Sequence, residues 1–253
     1  LIESAACEPE IQDLAHMLNA MGASIRGAGT PRIIVEGVER LRGTEYHVMP
    51  DRIVAGTYAV AAAVTNGDLT LENFPYDSLL AAVECFRQIG VDVHRMDENE
   101  DTRRCTVRIT SERSLKPSII TTQPFPGFPT DLQAQFLLLL CLAQGNSIIT
   151  EKIYPERFGH VAELGRMGAN LIRQGPTVMV VGGAELVGAP VMASDLRASA
   201  CLVLAGLAAR GETTVNRVYH LDRGYCRMER TLNALGANIR RVKDPARAPV
   251  ATA

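Results

Sequence analysis

A chain of 253 residues can hold one large domain, or one domain and part of a second. Hydrophobic residues make up 47% of it, with no tryptophan and only 5% aromatics, so the core must be built from Leu, Val, Ala and Ile. A net charge of −2 excludes a general attraction to nucleic acid or to a membrane surface, and any anion has to be held by locally placed arginines.

The longest apolar run, Phe136–Ala143, is far shorter than the roughly 20 residues that cross a bilayer. Six cysteines without Cys-x-x-Cys spacing read as reduced, packed thiols of a cytoplasmic protein. Five histidines without ligand spacing predict no metal. No cofactor, membrane or nucleic-acid partner is expected.

In chain order, the first element is an amphipathic helix with Ile11, Leu14, Ala15 and Leu18 on one face, ending at Gly22 and leading into a strand. The same block returns at Gly90, Gly168 and Gly236, at intervals of 68, 78 and 68 residues. Repeats of that length are whole folding units. Glycine just past the last helical turn allows the left-handed conformation that closes a helix and redirects the chain. A second helix type precedes three of these blocks, over 51–64, 131–143 and 195–209, and is apolar on every side after its first turn. Such helices lie in an interior. Each is followed by a β-like run: Leu69-Thr-Leu, Ser147-Ile-Ile-Thr and Thr213-Thr-Val.

The unit therefore reads as buried helix, strand, amphipathic helix, strand, turn, strand. Three copies follow Pro50, and the end of a fourth occupies residues 1–50. The predicted class is α/β, with sheets surrounding buried helices and without the simple strand–helix alternation of a Rossmann fold. The chain starts partway through a repeat, so a preceding portion is expected. Residues 244–253, rich in Pro and Ala, are expected to form a loose tail.

In a repeat, scaffold residues recur and chemical ones need not, which directs attention to the starts of the buried helices. Free N–H groups and the helix dipole favour negative charge there, and three such ends pointing one way would form an anion-binding surface. Pro129-Thr130-Asp131-Leu132-Gln133 carries a capping-box pattern, with Thr130 as cap and Gln133 reaching back, which leaves Asp131 free. Asp131 is either a dipole-favouring surface acid or a carboxylate that accepts a substrate proton. As a base it needs burial to raise its pKa.

Ser194-Asp195-Leu196-Arg197 offers a cap and a guanidinium close to the core, whose natural partner is an anion or a carboxylate. Arg157 and Arg223 occupy matching loops before two amphipathic helices, either as surface ion pairs or as a clamp on phosphate or carboxylate. Asp51-Arg52 reads as a salt bridge at a hinge. His160 reads as a satisfied loop histidine. The proline-rich run Pro124–Pro129 stiffens the approach to Asp131.

Six segments together resemble the enolpyruvyl transferase family: Glu8-Pro-Glu-Ile11, Gly37-Val-Glu-Arg-Leu41, Gly127-Phe-Pro-Thr-Asp-Leu-Gln-Ala-Gln135, Arg157-Phe-Gly-His-Val161, Asp195-Leu-Arg-Ala-Ser-Ala200 and Tyr219-His-Leu-Asp-Arg-Gly-Tyr225. The resemblance covers almost the whole chain and is strongest to the branch whose acceptor is UDP-N-acetylglucosamine. It implies an inside-out α/β barrel of repeated units, with residues 1–50 the end of an N-terminal domain and 51–243 a C-terminal domain of three units. It also implies transfer of the enolpyruvyl group of phosphoenolpyruvate to the sugar 3-hydroxyl with release of phosphate, a step of peptidoglycan precursor synthesis.

By motif, Asp131 matches the proposed base that contacts the sugar hydroxyl, and Ile153 falls where backbone meets the nucleotide sugar. Arg223 matches the residue facing the phosphoenolpyruvate carboxylate. Arg157, Asp195 and Arg197 match the charged lining of the cleft, and Glu8 and Asp51 match further polar cleft residues. The family's Lys-Asn pair and proton-donating Cys loop have no counterpart here, which implies a missing N-terminal half as partner and an inactive isolated chain. Two alternatives are a shortened homologue that binds nucleotide sugar without catalysis, and an enzyme acting on shikimate 3-phosphate.

Overall fold

The computed structural model describes residues 1–97, 104–111 and 114–242. The charged stretch 96–116 is thus described only in part, and the expected tail lies outside the described residues.

Helices α2 (Arg52–Val64), α4 (Gln133–Leu142) and α6 (Leu196–Ala208) have no polar face to offer solvent, and all three pack on one another. In α4 every residue from Gln133 to Cys141 is buried. Leu137 to Leu140 are fully enclosed, each gaining about 1.5–3 kcal/mol from transfer out of water. Gly56 lets α2 close on the turn before α4, because a Cβ there would lie 2.7 Å from Leu132 Cδ1.

Each interior helix also packs on the sheet of its own unit. In the first unit β4 (Asp68–Phe74), α3 (Leu80–Ile89), β5 (Val91–Arg95) and β6 (Cys105–Ser111) give the order β4-β6-β5, with β6 antiparallel to both neighbours. The second unit repeats this with β8 (Asn146–Thr150), α5 (Gly159–Arg166), β9 (Asn170–Gln174) and β10 (Thr177–Val181), and adds β7 (Ile119–Thr121) parallel to β8. Among the described residues the third keeps only the parallel pair β11 (Pro190–Met192) and β12 (Thr214–Asn216), followed by α7 (Met228–Ala234). Helices inside and sheets outside make the inside-out α/β arrangement that the repeat pattern implies.

The strand expected after Gly236 does not form: residues 237–242 carry no strand. In the other units the strand after the glycine exists by pairing with the next antiparallel strand, and among the described residues the third unit has none. Asn233 still ties the segment to α7. Its Nδ2 donates to the Ile239 carbonyl at 2.7 Å, and its Oδ1 accepts from the Ile239 N–H at 2.8 Å. Asn19 makes the same double bond to Ile25, at 2.9 and 2.8 Å.

The N-terminal part consists of β1 (Ile2–Glu3), α1 (Pro9–Ala20), β2 (Ser24–Arg26) and β3 (Arg32–Glu36), in sheet order β1-β3-β2. Only Ala15 and Ile33 are buried apolar side chains there, whereas Leu1, Ile2, Val35 and Val48 are more than half exposed. Asp13 ties α1 to the segment leading to α2, accepting from Tyr46 Oη at 2.9 Å and from the Met49 N–H at 3.1 Å.

Gly22, Gly90, Gly168 and Gly236 have φ of +100, +97, +96 and +99°, the left-handed geometry their position predicts. Nothing lies within 4 Å of a Cβ built on Gly236, so Gly236→Ala should cost only backbone strain, about 1–2 kcal/mol. Gly165, inside α5 and equally unobstructed, lacks the positive φ, so Gly165→Ala should stabilise by about 0.4–1 kcal/mol. Thermal unfolding of both variants beside the parent checks the opposite signs.

Candidate active site

The three interior helices start differently, and the difference is chemical. Asp51 caps α2, accepting from the Ile53 and Val54 N–H groups at 2.8 and 3.0 Å. Asp195 caps α6, accepting from Arg197 and Ala198 at 2.9 and 3.0 Å, and takes the Ser194 hydroxyl at 3.1 Å. The start of α4 breaks this pattern. A single 3-10 turn, Thr130–Leu132, precedes it, and no side chain caps either the turn or the helix.

The capping box expected of Thr130 and Gln133 is therefore not formed. A buried carboxylate, Glu151, takes the Thr130 hydroxyl at 2.8 Å. The Gln133 amide is fully buried, with no partner for either polar atom among the described residues.

Freed from capping, the Asp131 carboxylate lies between two guanidiniums. Arg157 Nη1 donates to Oδ1 at 2.5 Å and Arg197 Nη2 to Oδ2 at 2.8 Å. Arg157 sits in the loop between β8 and α5, and its Nη1 also donates to Thr130 Oγ1 at 3.3 Å. Arg197 lies in the first turn of α6, with 13% of its side chain exposed; it is not solvated, and its partner is a carboxylate.

Burial pushes the Asp131 carboxyl upward, but the two arginines, Arg197 foremost, outweigh it and hold the group below its usual range. The raised value a general base needs is thus absent while both arginines are bound. Arg197 in turn is held above its usual value: burial works against it, and Asp131 and Tyr225 overcome burial. Burial also pushes the Asp195 carboxyl up and is outweighed, chiefly by the Ala198 N–H, so the group is lowered.

The helix starts converge. A cavity of about 580 Å³ is lined by Glu10, Asp51, Arg52, Ile53, Asp131 and Arg197, among others, so all three helices present their first turn to it. Its other wall is α1. Arg52 crosses there to Glu10, with Nε to Oε1 at 2.8 Å, and stacks over the Phe125 ring at 5.8 Å. Of the Asp51-Arg52 pair expected to form a salt bridge, Arg52 forms one with Glu10, and Asp51 serves as the α2 cap. Beneath the site Gln135 Nε2 donates to Thr57 Oγ1 at 3.0 Å, and Thr57 is 2.8 Å from Tyr225 Oη. The proline-rich loop is anchored by Phe128, edge-on to Phe136 with centroids 4.8 Å apart.

Several expected residues lie outside this group. Arg223 is exposed, with no side-chain hydrogen bond or ion pair among the described residues. Glu8 is half-buried before α1 and caps nothing; its neighbour Glu10 takes the place at the cavity. Ile153 is exposed, and its N–H is taken by Glu151 Oε1 at 2.8 Å. His160 is not a satisfied loop histidine. It is buried at the start of α5 with no partner for Nε2 among the described residues, and burial, opposed by Asp195 and reinforced by Arg157, lowers it to about 4.

The sequence reading missed Glu151, Glu10, Thr57 and Tyr225. Glu10 and Tyr225 stood within recognised segments without being singled out; Glu151, a lone acid after a strand, carries no spacing signal.

With this geometry in place, comparison with known proteins is direct. The family profile described as EPSP synthase (3-phosphoshikimate 1-carboxyvinyltransferase) matches residues 1–232. The chain belongs to this family of enolpyruvyl transferases. It is 55% identical over 242 residues to UDP-N-acetylglucosamine 1-carboxyvinyltransferase of Hyphomonas neptunium, covering 95% of this chain and 56% of that protein. It is 51% identical over 244 residues to the protein of the same name from Lawsonia intracellularis, covering 96% and 57%. The chain thus spans little more than half the length of these relatives.

Among solved structures, the enolpyruvyl transferase NikO from Streptomyces tendae superposes with a TM-score of 0.84 at 28% identity, over 94% of this chain and 55% of that one. EPSP synthase from Acinetobacter baumannii gives 0.67 at 20% identity over 87% and 53%, a likeness of fold alone.

A carboxylate with a lowered pKa stabilises the fold fully above its unfolded value, near pH 4, and loses that contribution as pH falls below it. Asp131→Asn should therefore destabilise by about 1–2 kcal/mol near pH 7. That is less than a fully buried pair would lose, because 34% of the carboxylate side chain is exposed. Melting curves of parent and variant should converge below about pH 4; a gap that widens on acidification would contradict the arrangement.

Proposed function

We propose that the protein carrying this chain transfers the enolpyruvyl group of phosphoenolpyruvate to the 3-hydroxyl of UDP-N-acetylglucosamine, releasing phosphate. The observation that carries this reading is Asp131: alone among the three helix-start acids, it is relieved of capping and placed between two arginines at a shared cavity. The names of relatives at 51–55% identity favour this acceptor.

Asp131 removes the 3-hydroxyl proton as the sugar oxygen attacks C2 of phosphoenolpyruvate. C3 gains a proton from a donor outside this chain, giving a tetrahedral ketal. Loss of a C3 proton and of phosphate from that ketal leaves the enol ether.

An anionic substrate that draws Arg157 and Arg197 away lifts the two charges that hold the Asp131 carboxyl down. Burial then raises it, in the direction a base requires. Arg223, exposed and free of ion pairs among the described residues, is available to the phosphoenolpyruvate carboxylate. The backbone at Ile153 meets the nucleotide sugar, Asp51 and Glu10 shape the charged lining, and Asp195 holds the start of α6 that carries Arg197. Residues 1–50 belong to a first domain and 51–243 to a second. The isolated chain is inactive, and the reaction, a step of peptidoglycan precursor synthesis, takes place in the cytoplasm.

Phosphate release by the full-length protein given both substrates tests this. Asp131→Ala should lower turnover at least about a hundredfold, the scale of a positioned base. Undiminished turnover in that variant, or phosphate release with shikimate 3-phosphate in place of the nucleotide sugar, would overturn the reading.

A further inference from the structure

Glu151 follows β8 and is fully buried, yet among the described residues none of its hydrogen-bond partners is a cation. A buried charge costs several kcal/mol unless hydrogen bonds compensate, so the four it accepts are what make it tolerable. They divide unequally between its oxygens. Oε1 takes three donors: Thr122 Oγ1 at 2.6 Å, the Ile153 N–H at 2.8 Å and the Tyr154 N–H at 3.0 Å. These close the loop that leads to Arg157. Oε2 takes one, the Thr130 hydroxyl at 2.8 Å.

A carboxylate only accepts, so the Thr130 proton must point at Glu151 and the Thr130 lone pairs must point away from it. Arg157 Nη1, the atom that also holds Asp131 Oδ1, donates to that same oxygen at 3.3 Å.

We propose that Glu151 is a positioning residue for Asp131. By fixing the direction of the Thr130 hydroxyl, it makes that oxygen a second acceptor for Arg157 and so sets where the guanidinium meets the carboxylate. The proposal rests on the reading of Asp131 as the base. Three of the four bonds could be kept by an amide oxygen. The fourth could not: glutamine would bring an NH₂ donor to Thr130, and the hydroxyl proton, displaced, would turn toward Asp131 and compete with Arg157 there. Glu151→Gln therefore changes polarity at one point while keeping shape and the loop bonds.

Steady-state phosphate release by the full-length protein, with phosphoenolpyruvate and UDP-N-acetylglucosamine varied in turn, tests this in Glu151→Gln, Thr130→Val and the double variant. Each single change should lower kcat about 10–100-fold, the usual scale for a partner that orients a reacting group, with KM for either substrate moving less than about threefold. The double variant should be no slower than the slower single one, because both changes remove one relay. A residue that only supports the loop would raise KM and lower the melting temperature, and its effect would multiply with that of Thr130→Val.

An active parent with kcat of Glu151→Gln within about threefold, or a double variant that loses the product of the two single effects, overturns the role of Glu151 alone. If Glu151→Gln does not fold, a Thr130→Val variant with unchanged kcat overturns it equally. A parent that releases no phosphate with these substrates overturns the functional reading and this proposal together.

Discussion

Three helices without a polar face must be covered on all sides, and that constraint organises everything else in this chain. Each covers part of the other two and is covered in turn by the sheet of its own unit. Packing them as a trio brings their first turns to one cavity, where the free N–H groups of three helix starts would otherwise lack partners. Asp51 and Asp195 answer that need locally. At α4 the need is met by a 3-10 turn, and the acid is left to the two arginines. The site is thus a by-product of how a core of apolar helices ends.

The electrostatics follow from the same geometry. Asp131 and its two arginines bring two positive charges and one negative to a half-buried place, which leaves the group short of one anion. Among the described residues Asp131 is the only carboxylate bonded to either guanidinium, and its proton affinity is lowered as a result. The group is therefore complementary to a second anion. The track of Gln135, Thr57 and Tyr225 below is joined by hydrogen bonds between neutral groups and adds no charge of its own.

Local rules account for what was legible in the sequence. The four glycines could be read as left-handed turns because position in a helix and absence of a Cβ decide the matter alone. The interior helices could be read because no other environment suits 51–64, 131–143 and 195–209. The errors came where two local answers compete and a distant residue decides between them. Thr130 and Gln133 fit a capping box, but Glu151, 21 positions on, takes the hydroxyl. Glu8 fits a motif, but the turn of α1 presents Glu10. The segment after Gly236 has a strand-like sequence and lacks a neighbour. Glu151 could not be found in advance, because its meaning lies in four donors drawn from three separate segments.

The paired hydrogen bonds of Asn19 and Asn233 have a consequence for how these molecules meet one another. A strand at the border of a sheet offers alternate N–H and C=O groups outward, and any extended peptide can join it. At Ile25 and Ile239 those two groups are already engaged by a side chain from the preceding helix. An incoming strand would have to displace a well-aligned amide before making its first bond. Asn19 therefore guards the free border of β2 against chain-to-chain β-stacking, and Asn233 keeps the same two groups of Ile239 engaged in a segment that joins no sheet.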